Sequence, residues 1–450
     1  MAISEENRKI LEDERFQGIR PSESRMLLSS PTMHDRERYW VDEAIRTNWV
    51  TTVGANINAV EDALKGYIGR KEAVGLSSGT AALHMAIRLA GETIYGQARV
   101  NEGTLAGRRV FCTDMTFDAT INPVAYEGGE AVFIDTERDS WNMDPASLRK
   151  AFELYPDVKL IVVAHLYGTP GNAEEIRRIA DEHGALIVED AAESLGAGVL
   201  LADDTPFGRE RNSGDKEENG RILRQTGCFG DISVISFNGN KIITGSSGGM
   251  MLTDSPEAAR KVRKWSTQAR DNAPWYQHSE LGYNYRMSNI VAGVIRGQIP
   301  YLQEHIAQKK AIYERYREGL KDLPVSLNPI PDNVRPNYWL SCMIIDPDAM
   351  CYQNRTDSAS EYRSESGKSC PTEILNALSA FNAEGRPIWK PMHMQPIYAD
   401  FPFVSARDGS LDSNDVGRDI FDRGLCLPSD NKMTEAEQDL VIDVIHRCFK

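Results

Sequence analysis

The sequence contains no long apolar segment. No apolar run approaches the roughly 20 residues that a helix needs to cross a bilayer. The first residues, Met1–Lys9, are mostly polar and lack the apolar core of a secretory signal. We therefore expect a protein without a membrane partner, located in the cytoplasm.

The seven cysteines also lack a functional pattern. They are odd in number, irregularly spaced and never paired as CxxC, which argues against a disulfide framework and against a metal site. Positive charge is outweighed as well, because 66 acidic residues against 51 lysines and arginines give a formal net charge of −15 at pH 7. Nucleic acids are bound by clustered lysines and arginines, so no nucleic-acid partner is expected.

What remains is the composition of an ordinary soluble globular protein, 41% hydrophobic and 26% charged. A chain of 450 residues is too long for one small core and predicts a large domain with a smaller one. Repeated strand, helix, strand patterns predict an α/β fold with a mostly parallel sheet. We predict an N-terminal lead-in at 1–25, a large domain at 26–300 and a smaller α+β domain at 301–450.

An apolar strand that ends in a turn presents Lys241. The β-branched run that begins at Ile232 predicts a buried strand, and Asn238–Asn240 predicts the turn after it. Beside Ile242 and Ile243 an ammonium group loses hydration, which favours the neutral amine that attacks carbonyl groups. A surface lysine in a hairpin is the alternative, and this stretch alone does not exclude it.

Asp190 ends a second apolar strand, Ala185–Asp190, and Glu193 follows three residues later. Pyridoxal 5'-phosphate (PLP) withdraws electrons when its pyridine nitrogen is protonated, and a buried aspartate beside that nitrogen keeps the proton there. Asp190 suits this role. A reactive lysine and such an aspartate together indicate a PLP site.

A third motif, Ser77–Leu83, leads from a strand into a helix. The first backbone amides of a helix have no internal partner and carry partial positive charge, so they attract phosphate. Ser78, Gly79 and Thr80 are therefore candidates for binding the cofactor phosphate. A serine or threonine here can also be a simple helix cap, which stays open at this point.

Two further candidates follow predicted strands. Phe117 follows the strand from Arg109, and His165 ends the apolar strand Lys159–His165. Ligands collect at the carboxyl ends of parallel strands, so both side chains are expected near Asp190. An aromatic face at Phe117 can stack on a pyridine ring, and the alternative is a core residue.

Together these motifs resemble the DegT/DnrJ/EryC1/StrS family of sugar aminotransferases, among the fold-type-I PLP enzymes. The resemblance runs from residue 28 to 449 with interruptions, through Ser77–Leu83, Val188–Ser194 and Ser236–Thr244. It implies a fold-type-I PLP transferase, with a large domain built on a mostly parallel mixed sheet and a smaller C-terminal α+β domain. The cofactor contacts that it implies are Ser78, Gly79, Thr80, Phe117, His165, Asp190, Ser236, Lys241 and Asn284.

The resemblance also implies a reaction. Lys241 is expected to be covalent anchor and general base, Asp190 to keep the ring electron-withdrawing, and Glu193 is typical of the family's 4-aminotransferases. The implied activity transfers an amino group from L-glutamate to a nucleotide-linked 4-keto-6-deoxy sugar, of the UDP-4-keto-GlcNAc type. A PLP-binding regulatory member without catalysis is the alternative.

The loop Leu281–Ser288 matches a family loop that reaches the neighbouring subunit's cofactor. The resemblance therefore implies a homodimer with composite active sites, in which Asn284 contacts the phosphate of the PLP bound by the other subunit.

Other segments carry structural predictions. Three of them look like insertions relative to the family: 95–107, 202–226 and 350–369. The segment 202–226 is polar, turn-rich and without period. We also predict one long helix from Asn289 to Leu323 and a strand from Tyr338 to Ile345.

Overall fold

A computed structural model describes residues 5–202, 212–356, 358–407 and 415–450. Its α-helices are α1 (Glu5–Glu12), α2 (Arg36–Arg46), α3 (Ala55–Ile68), α4 (Gly79–Tyr95), α5 (Asn122–Tyr126), α6 (Pro145–Leu154), α7 (Ala173–His183), α8 (Pro256–Trp265), α9 (Asn289–Gln298), α10 (Leu302–Gly319), α11 (Pro371–Ala380), α12 (Val416–Arg423) and α13 (Glu435–Cys448). Its strands are β1 (Glu72–Leu76), β2 (Arg109–Thr113), β3 (Glu130–Ile134), β4 (Leu160–Ala164), β5 (Leu186–Asp190), β6 (Gly198–Leu200), β7 (Lys216–Glu218), β8 (Arg221–Gln225), β9 (Ile232–Ser236), β10 (Gly249–Thr253), β11 (Val325–Leu327), β12 (Val334–Arg335), β13 (Cys342–Ile345), β14 (Tyr352–Arg355), β15 (Ser360–Arg363), β16 (Arg386–Pro387), β17 (Phe403–Val404) and β18 (Gly424–Cys426).

The central sheet has eight strands in the order β1, β10, β9, β5, β4, β2, β3, β17. The pairs from β9 to β17 are parallel, whereas β10 runs antiparallel to both of its neighbours. The predicted α/β class with a mostly parallel mixed sheet is confirmed.

This sheet is buried on both faces, as strand β4 illustrates. Leu160 and Val162 join the core that packs against α4, whereas Ile161 and Val163 join a separate core on the opposite face. Successive side chains of a strand point to opposite faces, so a strand covered on both sides must be apolar throughout. The continuous apolar run of β4 therefore predicted a central strand correctly.

A second core forms around the antiparallel sheet β11, β13, β18, β16. Side chains from α10, α11 and α13 fill it, and so do Ile10 and Phe16 from the N-terminal segment. The described part of 1–25 thus packs with the C-terminal residues, because its apolar side chains lie on that core. The domain boundaries at residues 25 and 300 stay predictions.

Two predicted elements were too long. The helix from Asn289 is interrupted by a 3-10 turn at Ile299–Tyr301, because Pro300 lacks the N–H that a continuous helix requires. The strand predicted from Tyr338 begins only at Cys342. Tyr338 has a φ of +56°, a left-handed conformation that cannot continue a strand.

Two of the three segments predicted as insertions contain strands, whereas 96–107 forms turns between α4 and β2. Within 202–226, β7 pairs with β8, and β8 pairs with β6 in a four-stranded sheet that β12 completes on the other side of β6. Residues 203–211 lie outside the described residues. Within 350–369, β14 and β15 form a hairpin. In the described part of the chain, none of the helices combines the length and the apolar character that crossing a membrane requires.

Candidate active site

A cavity of about 900 Å³ opens at the carboxyl ends of the central strands. It lies where predicted, because the loops after parallel strands meet at one edge of the sheet. The predicted site residues in its wall are Ser78, Gly79, Thr80, Phe117, His165, Asp190, Glu193, Ser236 and Lys241. Asn284 is not in this wall; its side chain is exposed.

Lys241 points into the cavity rather than into bulk solvent. Its Nζ donates a hydrogen bond to Glu193 Oε1 at 3.1 Å and lies 4.2 Å from the centroid of the Trp339 ring. The side chain is 12% exposed, which excludes the surface hairpin lysine. Ile242 and Ile243 are buried behind it, and the aromatic wall at Trp339 was not apparent from the sequence.

Glu193 is held from two sides. Its Oε2 accepts a hydrogen bond from the backbone N–H of Tyr167 at 2.8 Å, while Oε1 accepts the Lys241 ammonium. Burial raises the pKa of Glu193, and the positive charge of Lys241 opposes that effect. Tyr167 adopts a φ of +53°, an uncommon backbone conformation for a side chain of this size. The backbone at Tyr167 is thereby turned toward Glu193.

Asp190 lies at the end of β5 and is buried. Its Oδ2 accepts a hydrogen bond from Thr120 Oγ1 at 2.7 Å, and Oδ1 accepts one from the Ala192 N–H at 3.0 Å. Burial raises the pKa of Asp190, whereas the Thr120 hydrogen bond lowers it. Each carboxylate oxygen can accept more than one hydrogen bond, so Asp190 can still receive a protonated ring nitrogen.

His165 is fixed in one orientation behind the site. The Gly171 N–H donates to His165 Nδ1 at 3.2 Å, so Nε2 carries the hydrogen that is donated to Glu189 Oε1 at 3.0 Å. Although burial acts in the other direction, His165 and the backbone N–H groups of Gly227 and Gly230 lower the pKa of Glu189 to about 2. The buried Glu189 carboxylate thus anchors His165, a contact that the sequence did not reveal.

The start of α4 forms a close-fitting cradle with β9. Ser78 is its N-cap and accepts a hydrogen bond from the Ala81 N–H at 3.0 Å. A Cβ atom on Gly79 would lie 2.8 Å from Ser236 Cβ, so only glycine fits there without displacement. The hydroxyls of Thr80 and Ser236 and the amides of this turn are a donor set that suits a phosphate.

The remaining predicted contacts lie at the edges of the site. Phe117 is 57% exposed and its ring centroid lies 5.4 Å from that of Trp389, which excludes a core position. Asn284 forms a β-bridge with Thr267, away from its own chain's cavity.

The outer wall of the cavity was missed by sequence reasoning. It contains Trp339, Trp389, Arg386 and Lys390. The pentapeptide Arg386–Lys390 combines two cations with a tryptophan, and this combination was the sequence feature that could have indicated a binding surface. Because the pentapeptide lies well over a hundred residues after Lys241 along the chain, the sequence did not show that the two share a cavity.

The residues present fit PLP. The amine would bind the aldehyde of the cofactor, and the buried carboxylate would bind its pyridine nitrogen. The helix start with its hydroxyls would bind the phosphate, and the exposed aromatic ring would stack on the ring face. Each group lies in the wall of the same cavity.

Sequence comparison identifies relatives over most of the chain. The profile of the DegT/DnrJ/EryC1/StrS aminotransferase family matches residues 31–446. The putative pyridoxal phosphate-dependent aminotransferase EpsN of Bacillus subtilis is 37% identical over 432 residues, which cover 94% of this chain and 96% of EpsN. GDP-perosamine synthase of Caulobacter vibrioides is 30% identical over 423 residues, 93% of this chain and 96% of that protein.

Solved structures agree on the fold. A putative sugar aminotransferase from Streptococcus pneumoniae in its PLP form has a TM-score of 0.75 at 18% identity, covering 95% of this chain and 100% of that one. DesI, solved in the presence of its TDP-sugar product, has a TM-score of 0.75 at 22% identity, covering 98% of this chain and 97% of DesI.

Proposed function

Because the chain belongs to the DegT/DnrJ/EryC1/StrS aminotransferase family, we propose a specific reaction for it. The chain is a PLP-dependent sugar aminotransferase. We propose that L-glutamate is its amino donor. The proposed acceptor is a nucleotide-linked 4-keto-6-deoxy sugar of the UDP-4-keto-GlcNAc type, which becomes a 4-amino sugar.

The observation that carries this proposal is the pair formed by Lys241 and Glu193 inside the cavity. PLP supplies an aldehyde that exchanges amino groups and a ring that withdraws electrons from the reacting carbon. Lys241 would hold the cofactor and, once an amino donor replaces it, move a proton between Cα of the donor and C4′ of the cofactor. Glu193 Oε1, 3.1 Å from Nζ, orients that amine.

The other residues would hold the cofactor in place. Asp190 would keep the proton on the ring nitrogen, with Thr120 fixing its carboxylate at 2.7 Å. Ser78, Gly79, Thr80 and Ser236 would bind the phosphate. Phe117 would stack on the ring. His165, which Glu189 anchors, is also a proposed cofactor contact.

Charge at the outer wall supports an anionic acceptor. Arg386 and Lys390 line the cavity although the whole chain carries a net charge of −15. A nucleotide-linked sugar brings a diphosphate, which such cations neutralise. Arg386 also pairs with Glu384, so a diphosphate would have to compete with this carboxylate for it.

The proposed nucleotide of the acceptor is UDP. One relative is named for a GDP-linked product, and DesI was solved in the presence of its TDP-sugar product. UDP is proposed from the resemblance of Ser236–Thr244 to enzymes that make UDP-linked 4-amino sugars.

We further propose a homodimer with composite sites, in the cytoplasm. Asn284 is exposed and outside its own cavity, as a residue serving a second subunit would be. Trp275 and Tyr276, 65% and 80% exposed, offer apolar surface on the segment before it. All seven cysteines are free, which suits a reducing compartment.

A substrate panel tests the proposal. Purified protein with PLP and glutamate is assayed on UDP-, dTDP- and GDP-linked 4-keto-6-deoxy sugars, and products are identified by NMR. We expect turnover on the UDP-sugar with nitrogen at C4. Turnover of a 3-keto sugar in place of the 4-keto sugars, with nitrogen at C3 of the product, would refute the assignment to 4-aminotransferases that is based on Glu193. Preference for another nucleotide would refute the UDP assignment.

A further inference from the structure

Both backbone carbonyls that flank Lys241 are held by side chains from distant segments. The Asn240 carbonyl accepts hydrogen bonds from Trp339 Nε1 at 2.7 Å and from Ser29 Oγ at 3.0 Å. The Ile242 carbonyl accepts one from His305 Nδ1 at 2.8 Å. The turn that carries Lys241 is therefore fixed on each side of the lysine.

The hydrogen bond to Ile242 determines the tautomer of His305. A carbonyl only accepts, so Nδ1 must carry the hydrogen, and the neutral ring then has a lone pair on Nε2. His34 Nε2 lies 2.8 Å from that atom and donates to it. His34 itself is stacked on Tyr301, with ring centroids 3.7 Å apart. A chain of hydrogen bonds thus runs from His34 through His305 to the lysine turn.

Charges around His305 favour its neutral form. The pKa of His305 is lowered, mainly by burial and also by the positive charges of His34 and Lys309. The Ile242 carbonyl and the charge of Glu304 act in the opposite direction. Lys309, one turn further along α10, donates to Ser29 Oγ at 3.1 Å. Helix α10 therefore supports both sides of the turn, directly through His305 and indirectly through Lys309 and Ser29.

We propose that His305 is a positioning residue for Lys241, and that it holds the lysine turn through the Ile242 carbonyl with its tautomer set by His34. The inference rests on the proposed role of Lys241. The amine has to return to one position in every catalytic cycle, and a misplacement of about 1 Å in an active site can cost on the order of 10²-fold in rate. Loosening the turn would spread the positions of Nζ.

Three substitutions of His305 distinguish the effect of the hydrogen bond to Ile242 from the effect of filling the space of the imidazole ring. His305→Leu fills the space with an apolar side chain but removes the Nδ1–H donor. His305→Asn places an amide N–H where Nδ1 lies, whereas His305→Gln places it one carbon further, near Nε2. The rate at which acetic anhydride modifies Lys241 in the cofactor-free protein, relative to exposed Lys310, is measured by mass spectrometry, and kcat and KM are measured in the holoenzyme.

We expect His305→Leu to lower kcat by roughly 10-fold or more with a smaller change in KM, and to change Lys241 modification by about threefold or more. His305→Asn should recover most of both readouts and His305→Gln should not. If His305→Leu does not fold, the contrast between Asn and Gln decides. Equal behaviour of those two variants would overturn the proposal.

His446→Leu is the matched control. His446 Nε2 donates to the Gly319 carbonyl at 2.8 Å, so this change also removes an imidazole bond to a backbone oxygen. It should lower Tm without altering Lys241 modification or kcat. If His305→Leu behaves like His446→Leu, the positioning role is wrong. Modification of the cofactor-free protein does not require transamination, so this failure is distinct from a failure of the proposed reaction.

Discussion

At the residue scale, the surroundings of Lys241 set its chemistry. Glu193 lies 3.1 Å from Nζ, and the Trp339 ring lies against the same ammonium, with Nζ 4.2 Å from its centroid. Burial raises the pKa of Glu193, and the positive charge of Lys241 opposes that effect. The hydrogen bond to Glu193 thereby fixes the position of the amine that is proposed to act as a base.

We predict that Lys241→Ala abolishes both the visible absorbance of the covalently held cofactor and transamination. Loss of a general base typically costs 10²- to 10⁴-fold, and here the covalent anchor is lost as well. The measurement is a spectrum of the protein with PLP, followed by an assay with glutamate. Lys310→Ala, on the exposed face of α10, is the control, and full turnover by Lys241→Ala would remove the basis of the proposed function.

Asp190→Asn should retain PLP but lose rate. An amide cannot hold a proton on the ring nitrogen by charge, so about 3 kcal/mol of stabilisation, or roughly a 10²-fold rate, is expected to disappear. Single-turnover kinetics with glutamate measure this step. A near-normal rate would mean that another group protonates the ring.

At the element scale, a charged clip joins three separated elements. His393 Nδ1 donates to Asp114 Oδ2 at 2.8 Å, and Nε2 donates to Asp415 Oδ2 at 3.0 Å. Asp114 directly follows β2, His393 precedes β17, and Asp415 is the N-cap of α12. Although burial acts against the charged ring, the two aspartates raise the pKa of His393 to about 10. The clip therefore ties the C-terminal part of the chain to the central sheet.

The clip predicts a pH-dependent stability. Because its folded pKa of about 10 exceeds the unfolded value, His393 contributes fully below about pH 6.5, and the contribution disappears as pH rises through about 10. His393→Gln should lower the free energy of unfolding by roughly 2–4 kcal/mol at pH 6.5 and by much less above pH 10.

Urea unfolding of both proteins between pH 6.5 and 10.5 measures this difference. His278→Gln, which changes an exposed imidazole, should show no such trend. A deficit that is equal at every pH would contradict the assignment of charge to His393.

At the scale of the whole molecule, the position of Asn284 decides the expected assembly. It is exposed and outside its own cavity, so a role at the cofactor requires a second subunit. We also keep a large domain at 26–300 and a smaller one at 301–450 as a proposal. Ile10 and Phe16 share a core with the C-terminal helices, so the described part of 1–25 packs with the proposed smaller domain.

Mixed dimers test the composite site. Lys241→Ala and Asn284→Ala protomers are each expected to be poorly active, but after subunit exchange one site of the mixed dimer combines the intact Lys241 with the intact Asn284. Activity should partly return, in proportion to the mixed species determined by native mass spectrometry. If verified mixed dimers stay at the level of the single variants, Asn284 does not act in trans.

Much of the fold could be predicted from local pattern. The strands ending at Asp190 and before Lys241 were recognised because apolar and β-branched runs and the turns after them act over few residues. Errors arose where a single residue overrode the pattern, as Pro300 did by interrupting the helix from Asn289. The insertion 202–226 was not recognised as containing strands, since β8 pairs with β6, which lies outside the insertion, and β7 pairs with β8.

The sequence by itself therefore determined the α/β class and the candidate residues at the strand ends, because parallel strands must deliver their following loops to one edge. Only the tertiary structure decided what surrounds them. Trp339 and His305 contact the turn that carries Lys241, although they lie 98 and 64 residues after Lys241 in the chain. No periodicity encodes contacts at such separations, since they depend on how whole elements pack against one another.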